Sequence, residues 1–378
     1  MTDGEILALK RRQLAQMAAH RDALREHPVL HWVFFELTSR CNLACAHCGS
    51  SCTGRGESLT REDVRGVLAG LAEEPRPLVC LTGGEPLLHP DFFGIARMVT
   101  DMGFLWGITT NATLIDGAAA RRLREAGLGS ISVSLDGPAP SHDALRRRAG
   151  AWDAAVRGLR CLRDAGLDPQ VTTVVHRGNI ALLEELYSFL AAEGIRSWRI
   201  INVEPMGRAC ESEDLLLTPA EFRAMLAYIR GKRFDPACPM EVTYGCSHYL
   251  GAAAERMVRD RYFLCGAGIH VASVRANGDI CACLDVANLP ELVQGNIHRD
   301  SFRQVWRDGF RAFREDRTAQ SDTCRGCPDR QLCGGDAAHT WDWHRREPLL
   351  CGPRMMEAPE DASPAGEAPE MPLFPEKP

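Results

Sequence analysis

Three cysteines lie close together in one short segment, at Cys41, Cys45 and Cys48. A [4Fe-4S] cluster normally takes four cysteine ligands, so three thiolates would hold three of its irons and leave the fourth open. Cys52 follows nearby, and we predict that it is not a ligand because a fourth thiolate would close the open position. Zinc is the competing metal, but structural zinc sites favour paired Cys-x2-Cys hooks. The spacing therefore predicts an iron–sulfur cluster with one open iron.

A second group of cysteines fills the C-terminal part of the chain, where strand and helix periodicity fades. We predict a module organised by metal there. The alternative is a zinc-stabilised lid, because Cys324-x2-Cys327 is also a common zinc hook. The cysteines of this region are Cys238, Cys246, Cys265, Cys281, Cys283, Cys324, Cys327, Cys333 and Cys351.

The composition places these cysteines in an ordinary globular chain. The 378 residues are 45% hydrophobic and 25% charged, which excludes collagen-like and wholly disordered classes. A formal net charge of -6 gives no general attraction to nucleic acid. The start of the chain lacks the apolar core of a signal peptide, and no apolar run is long enough to cross a membrane. The 16 cysteines therefore predict a reducing cytoplasm, and metal clusters rather than disulfides.

Apolar segments of strand length alternate with helical patterns in the first part of the chain. Strands are predicted at 31–37, 77–82, 105–110, 129–135, 169–176 and 197–203. Helices are predicted at 4–26, 90–102, 115–126, 151–165, 180–193 and 218–230, and one more after a capping box of Thr60 and Asp63. This repetition predicts an α/β fold with a parallel sheet, either an open doubly wound sheet or an incomplete barrel. In both, chemistry belongs at the carboxyl ends of the strands.

The same patterns divide the chain into four parts. We expect an N-terminal helix docked on the domain in 1–29, the strand and helix units in 30–234, the cysteine module in 235–356 and a tail in 357–378. The tail contains six prolines and little to bury, so we predict that it is disordered.

The cysteine loop and three further motifs resemble those of the radical S-adenosylmethionine (SAM) superfamily. They follow the first four predicted strands in order: Cys-x3-Cys-x2-Cys, Thr82-Gly83-Gly84-Glu85-Pro86, Thr109-Thr110-Asn111 and Ser134-Leu135-Asp136-Gly137. The resemblance covers roughly residues 30–230. It implies a partial (β/α)6 TIM-like barrel, and so chooses between the two architectures.

By this resemblance, the open iron binds the amino and carboxylate groups of SAM. Reductive cleavage would then give a 5′-deoxyadenosyl radical that abstracts hydrogen from a substrate C–H bond. Glu85 would accept a hydrogen bond from the methionine ammonium, while Ser134 and Arg146 would hold the SAM carboxylate and ribose. The neighbouring Arg147 and Arg148 leave the register of this arginine open. The implied cofactor-binding residues are Gly83, Gly84, Glu85, Asn111, Ser134, Asp136 and Arg146.

The C-terminal cysteines resemble the SPASM domain, a small twitch-like module that holds auxiliary [4Fe-4S] clusters. One position departs from the pattern, because Ala337 stands where a cysteine of the inner cluster belongs. Cys246, Cys281 or Asp336 could replace it. Three outcomes are open: a full inner cluster, an inner cluster with an exposed iron, or a single auxiliary cluster. The implied auxiliary ligands are Cys265, Cys283, Cys324, Cys327, Cys333 and Cys351.

Few residues outside these motifs are assigned to catalysis. Tyr244 and Cys246 are candidates to donate or accept a proton or hydrogen atom near the inner cluster. Glu204 and Arg208 follow the sixth strand, where members of the superfamily present substrate-contacting groups. Packing is the expected role of Cys80, Cys161, Cys210, Cys238 and His339.

The resemblance implies a radical SAM/SPASM oxidoreductase or peptide-modifying enzyme. Residues 41–51 look most like the peptide-maturase branch, so the expected substrate is a ribosomally synthesised precursor peptide, with auxiliary clusters assisting electron transfer. The alternative enzyme is a dehydrogenase or epimerase of a small aminocyclitol or sugar. A non-catalytic iron–sulfur electron carrier is the alternative from another class, but it would have no use for SAM-binding motifs.

The same resemblance implies protein partners. An external reductant such as flavodoxin or ferredoxin would supply electrons. Too few residues precede the first strand for a leader-binding domain, so a peptide substrate would need either a separate leader-peptide-binding protein or direct recognition by this chain. Neither nucleic acid nor a membrane is an expected partner.

Overall fold

A parallel sheet is the framework of the protein, seen here in a computed structural model that describes residues 2–50, 56–72, 75–245 and 248–359. All six predicted strands are confirmed, and each pairs in parallel with the next strand along the chain. They are β1 (Trp32–Glu36), β2 (Leu78–Thr82), β3 (Trp106–Thr110), β4 (Ser130–Ser134), β5 (Gln170–Val175) and β6 (Ser197–Asn202).

Helices precede and connect these strands. The predicted capping box is confirmed, because the backbone N–H of Thr60 donates to Asp63 Oδ2 at 2.7 Å and the N–H of Asp63 donates to Thr60 Oγ1 at 3.1 Å. The helices are α1 (Asp3–Glu26), α2 (Arg61–Ala69), α3 (Phe92–Asp101), α4 (Gly117–Glu125), α5 (Ala139–Arg146), α6 (Ala151–Asp164), α7 (Leu183–Ala192) and α8 (Pro219–Phe234). The short helix α5 was not among the predicted elements, and it ends at Arg146.

The sheet continues beyond the six predicted strands. Its added strands are β7 (Glu241–Tyr244), β8 (Val271–Val274), β9 (Asp279–Cys281) and β10 (Gly295–Asn296), and the order is β10-β9-β8-β1-β2-β3-β4-β5-β6-β7. Both β7 and β8 pair in parallel, with β6 and β1 respectively. In the described part of the chain the sheet is open, and β7 and β10 form its edges. The part of the chain after residue 235 therefore adds strands to both edges of the predicted six-stranded sheet.

Short helices and a two-stranded hairpin make up the rest of the C-terminal region. They are α9 (Gly251–Ala254), α10 (Phe302–Asp308), α11 (Arg311–Arg314), α12 (Asp322–Arg325), α13 (Arg330–Cys333), β11 (Trp341–Asp342), β12 (Glu347–Pro348) and α14 (Gly352–Glu357). Helix α14 includes Glu357, the residue at which the sequence placed the start of a tail. Residues 360–378 of that predicted tail lie outside the described residues.

The main core lies between the sheet and its outer helices. Residues alternate along β5 and β6, so that Thr173 and Trp198 are buried while Val174 and Ile201 line a cavity on the other face. Trp198 is fully buried, and its indole N–H donates to Thr173 Oγ1 at 2.8 Å. Buried tryptophans usually need such a partner. One face of the sheet thus packs in the core, and the other face lines the cavity.

Helix α1 is present as predicted, and it packs against α9 and α13 of the C-terminal region. Arg21 is buried on this helix and donates to the carbonyls of Gln331 at 2.8 Å and Leu332 at 3.3 Å. Leu14 packs in an apolar cluster with Tyr249. Neither α1 nor any other helix in the described segments is long and apolar enough to cross a membrane.

Replacing Arg21 with alanine should loosen α1, because two carbonyls lose a charged donor in a buried contact. A hydrogen bond to a charged group contributes about 1.5–3 kcal/mol to stability, so we expect the free energy of unfolding to fall by roughly 2 kcal/mol. Denaturant titration and timed proteolysis of α1 would measure it. Arg12→Ala, at an exposed position of the same helix, is the matched control. Equal stability of the two variants would contradict this docking.

Candidate active site

The carboxyl ends of the parallel strands surround a cavity of about 270 Å³. All three cysteines of the first loop line it. So do most of the SAM-binding candidates, namely Gly83, Gly84, Asn111, Ser134 and Arg146. The cavity therefore lies where parallel α/β folds place their chemistry.

The cysteine loop is held by Arg208, which follows β6. Its backbone N–H donates to the Cys48 carbonyl at 3.0 Å, and its Nε donates to the Cys45 carbonyl at 2.7 Å. Burial raises the pKa of the Cys41 thiol to about 11. Thiols must lose their protons to bind iron, so cluster assembly here would release protons. The three thiols line one cavity, and they fit a cluster that supplies the compensating positive charge.

Gly83 and Gly84 bring the turn after β2 against the start of this loop. The N–H groups of Gly84 and Glu85 donate to the carbonyls of Thr38 and Arg40, each at 2.8 Å. A Cβ atom at Gly84 would lie 2.2 Å from the Arg40 oxygen, so a side chain there would push the loop away. These glycines therefore allow a close approach between two segments of the protein's own backbone.

Glu85 lies behind the cavity wall. Its carboxylate accepts from Thr110 Oγ1 at 2.7 Å and from the N–H of Asn111 at 2.9 Å, and only 1% of the residue is exposed. Burial raises the pKa of this carboxyl to about 7. The sequence-based hypothesis put Glu85 on the SAM ammonium. In this structure Glu85 ties the end of β2 to the end of β3, and its contact with the SAM ammonium stays a prediction.

Arg146 links the fourth motif to the cysteine loop. Its Nε donates to Asp136 Oδ2 at 2.7 Å, and its Nη1 donates to Cys45 Sγ at 3.5 Å. Burial alone would raise the pKa of Asp136, but the Arg146 charge and several hydrogen bonds outweigh it and hold the pKa at about 2. Arg147 and Arg148 are exposed, so the register of the arginine is settled. Asp136 positions Arg146 from behind the wall.

The C-terminal region completes the cavity, because Asp285 and His339 line it together with Glu204. Glu204 is buried, and its two oxygens lie 2.8 Å from His339 Nε2 and 3.3 Å from His248 Nε2. His248 Nδ1 in turn lies 3.0 Å from Asp336 Oδ2. Packing was the expected role of His339, and the structure corrects it. No spacing or motif in the sequence pointed to His248.

The two catalytic candidates from the sequence fare differently. Tyr244 is buried, and its hydroxyl donates to Asn202 Oδ1 at 2.6 Å, so this side chain reaches the cavity lining only through Asn202. A direct catalytic role for Tyr244 is therefore not supported by its position. Cys246 and the spare cysteine Cys52 lie outside the described residues.

The inner auxiliary position is built mainly from apolar contacts. Ala337 is 1% exposed and packs beside Cys265, whose Sγ accepts from the N–H of Ala338 at 3.3 Å. Asp336 is not a suitable replacement ligand, because its carboxylate already accepts from the N–H groups of Tyr249 and Gly352, each at 2.9 Å, and pairs with His248. This corrects one of the three alternatives.

Cys281 is also committed to another contact. Its Sγ accepts from Arg275 Nε at 3.1 Å, and the residue is buried. Cys283, two residues on, has its Sγ 3.9 Å from Asp285 Oδ2, and Asp285 lines the cavity. Cys265 and Cys283 therefore remain as inner ligands among the described residues.

The outer cysteines lie in or beside the short helices α12, α13 and α14. Cys324 and Cys327 share a tight turn, with the N–H of Cys327 donating to the Cys324 carbonyl at 3.1 Å. Cys333 Sγ accepts from the N–H of Asp336 at 3.1 Å, and burial raises the pKa of the Cys351 thiol to about 12. Within the described residues, no three Cys, His, Asp or Glu side chains converge as a single metal ion would need.

Comparisons with known proteins agree with this geometry. Residues 35–190 match the family model of the Radical SAM superfamily, and residues 265–328 match that of SPASM, an iron–sulfur cluster-binding domain. The chain is 31% identical over 310 residues to mycofactocin maturase MftC of Mycobacterium ulcerans, covering 80% of this chain and 81% of that protein. It is 28% identical over 354 residues to the AdoMet-dependent heme synthase of Nitratidesulfovibrio vulgaris, covering 87% and 94%.

Solved structures share the fold. SuiB of Streptococcus suis bound to its precursor peptide SuiA matches with a TM-score of 0.69 at 18% identity, over 82% of this chain and 72% of that one. Native anSMEcpe with bound AdoMet matches with a TM-score of 0.65 at 17% identity, over 83% and 90%.

An open α/β sheet, a three-cysteine loop at its carboxyl edge and a cysteine-rich C-terminal module define an iron–sulfur enzyme that uses SAM. The chain belongs to the radical SAM superfamily and carries a SPASM domain. Its cofactors are SAM, the SAM-binding [4Fe-4S] cluster and one or two auxiliary [4Fe-4S] clusters.

Glu85→Gln should weaken SAM binding while leaving the cluster in place. The amide would present a donor to the N–H of Asn111 or the hydroxyl of Thr110, which breaks the tie between β2 and β3. A lost buried hydrogen bond costs about 1–3 kcal/mol, so we expect SAM affinity to fall roughly 10- to 100-fold. Equilibrium dialysis with labelled SAM and an iron assay would measure both quantities. Glu62→Gln on the exposed surface is the control, and wild-type affinity in Glu85→Gln would refute the positioning role.

Iron content should report a single auxiliary cluster. We expect about eight irons and eight labile sulfides per chain after anaerobic reconstitution, because Ala337, Asp336 and Cys281 provide no further inner ligand. Ala337→Cys, which adds a thiol beside Cys265, should raise the count toward about twelve. A count of about twelve in the wild type would instead point to Cys246 as an inner ligand.

Proposed function

We propose that the protein is a radical SAM/SPASM oxidoreductase of a peptide substrate. The 5′-deoxyadenosyl radical would take a hydrogen atom, and the substrate radical would then lose an electron to an auxiliary cluster and a proton to solvent. The observation that carries the proposal is the shared cavity. Its lining includes both the cysteine loop and two residues of the C-terminal region, Asp285 and His339. A substrate in the cavity would meet the SAM site and the auxiliary module together.

The residues of the chain divide the work. Cys41, Cys45 and Cys48 would hold the SAM-binding cluster, which with SAM supplies a 5′-deoxyadenosyl radical. Arg146 and Ser134 lie on the same wall and would orient SAM through charge-assisted and neutral hydrogen bonds. Apolar lining residues such as Val174 and Val203 limit the groups a radical can reach.

The size of the cavity limits how much of a substrate can enter. Pockets for drug-sized ligands measure about 300–1,000 Å³, and this cavity of about 270 Å³ must also receive SAM. We infer that a substrate inserts one side chain or a short segment while its remainder lies outside. A peptide has this shape, and relatives include mycofactocin maturases.

An iron porphyrin is a second candidate. The AdoMet-dependent heme synthase of Nitratidesulfovibrio vulgaris is 28% identical to this chain, and the match covers 94% of that protein. A porphyrin could insert one peripheral substituent in the same way as a peptide inserts a side chain.

The test uses the anaerobically reconstituted enzyme with SAM and dithionite. Two probes are supplied separately: the peptide encoded by a short open reading frame beside the gene, and Fe-coproporphyrin III. We expect 5′-deoxyadenosine to form together with a peptide that has lost two hydrogen atoms, measured by mass spectrometry. Cys45→Ala, which removes a cluster ligand, is the inactive control.

The outcomes separate the candidates. Deuterium transfer from labelled peptide into 5′-deoxyadenosine would support the peptide, whereas modification of Fe-coproporphyrin III alone would favour the porphyrin. Cleavage of SAM with neither probe altered would reject both substrates. Flavodoxin or ferredoxin replacing dithionite would identify the reductant, and a requirement for an added leader-binding protein would identify that partner.

A further inference from the structure

One cationic side chain lines the cavity at the SPASM end and is held from behind by a buried carboxylate. His339 Nε2 lies 2.8 Å from Glu204 Oε2, and both residues belong to the cavity lining. Because Nε2 faces Glu204, Nδ1 is the ring nitrogen left to meet a substrate. The pair therefore resembles a carboxylate-oriented imidazole, in which one nitrogen fixes the ring and the other acts outward.

A second imidazole and a second carboxylate support this pair. His248 Nε2 lies 3.3 Å from Glu204 Oε1, and His248 Nδ1 lies 3.0 Å from Asp336 Oδ2. Asp336 is fixed in turn by the N–H groups of Tyr249 and Gly352. Carboxylate and imidazole side chains alternate along one buried chain, Asp336–His248–Glu204–His339. Buried charges persist only when they are paired, and here each has a partner.

The surroundings favour the charged form of His339. Burial by itself lowers the pKa of this ring, but the Glu204 carboxylate outweighs it, and Asp285 and Cys265 add to the effect, so that the pKa rises to about 9. At neutral pH the ring is then an imidazolium with a proton on each nitrogen. Such a group donates a strong hydrogen bond and has no lone pair to accept one.

We propose that His339 is a substrate-contacting residue that donates a hydrogen bond from Nδ1 to an oxygen atom of the substrate beside the C–H bond to be broken. Glu204, His248 and Asp336 act through His339 and are positioning residues. The inference rests on the proposed function and deepens it by naming the substrate group that the SPASM wall recognises.

The geometry gives this contact a purpose. His339 lines the same cavity as the cysteine loop, Ser134 and Arg146. A substrate anchored at its oxygen by His339 would have its neighbouring carbon held toward the SAM site. In a peptide the oxygen is a backbone carbonyl beside Cα–H or a side-chain carboxylate, and in an iron porphyrin it is a peripheral carboxylate. The shared chemistry is an oxygen acceptor.

The experiment compares wild type, His339→Phe, His339→Gln and Glu204→Gln. His339→Phe keeps a ring of similar size and loses the donor, whereas His339→Gln restores a neutral donor. His344→Gln is the matched control, because this histidine lies nearby in the sequence with its side chain 62% exposed. Iron content and thermal unfolding of each variant check that the fold and clusters are intact, and His339→Gln and Glu204→Gln keep the test open if His339→Phe does not fold.

Binding is measured first, without reductant, so that it does not depend on turnover. The probes are the fluorescently labelled neighbouring peptide and Fe-coproporphyrin III, each with SAM present. A charge-assisted hydrogen bond of about 1.5–3 kcal/mol predicts that Kd rises roughly 10- to 100-fold in His339→Phe. We expect partial recovery in His339→Gln, an intermediate loss in Glu204→Gln and no change in His344→Gln. The probe whose Kd responds identifies the source of the oxygen.

Turnover then separates positioning from general damage. In the His339 variants KM should rise by a similar factor, and the ratio of 5′-deoxyadenosine to modified product should increase because the C–H bond is held less well. Wild-type Kd and an unchanged ratio in His339→Phe, with an active wild type, would overturn this proposal and leave the proposed function standing. A wild type that alters neither probe would overturn the proposed function, and this inference with it.

Discussion

The position of the cysteine loop depends on a close contact between two backbone segments. The carbonyls of Thr38 and Arg40 accept from the N–H groups of Gly84 and Glu85, and no side chain fits at Gly84. Glu85 then reaches the end of β3 through Thr110. The first three strands are thus joined at their carboxyl ends by hydrogen bonds that also fix the thiols. The position of the predicted SAM site therefore depends on this backbone contact.

The cavity lining contains two basic side chains, and each of them is paired with a buried carboxylate. Arg146 is held by the buried carboxylate of Asp136, and His339 is held by that of Glu204. A buried cation is tolerated when a paired anion compensates for lost hydration. This arrangement lets the cavity orient polar ligands. Orientation matters in radical chemistry because the nearest group reacts.

The SPASM region is part of the same architecture as the radical SAM core. Strand β8 pairs with β1, the strand that leads into the cysteine loop, and β7 pairs with β6. His339 and Asp285 then close the cavity. Helix α1 covers the far side of this region through Arg21. The C-terminal region therefore extends the sheet at both edges and supplies part of the cavity lining directly.

The sequence by itself determined the six central strands, the cluster-loop cysteines and the motifs at the strand ends, because alternation and spacing report contacts among residues close along the chain. Only the tertiary structure decided that Glu85 and Tyr244 lie behind the cavity wall. It also decided that β8 pairs with β1 and that His248 meets Asp336, 88 residues away. Such contacts depend on how separate elements pack, and no local pattern encodes that packing.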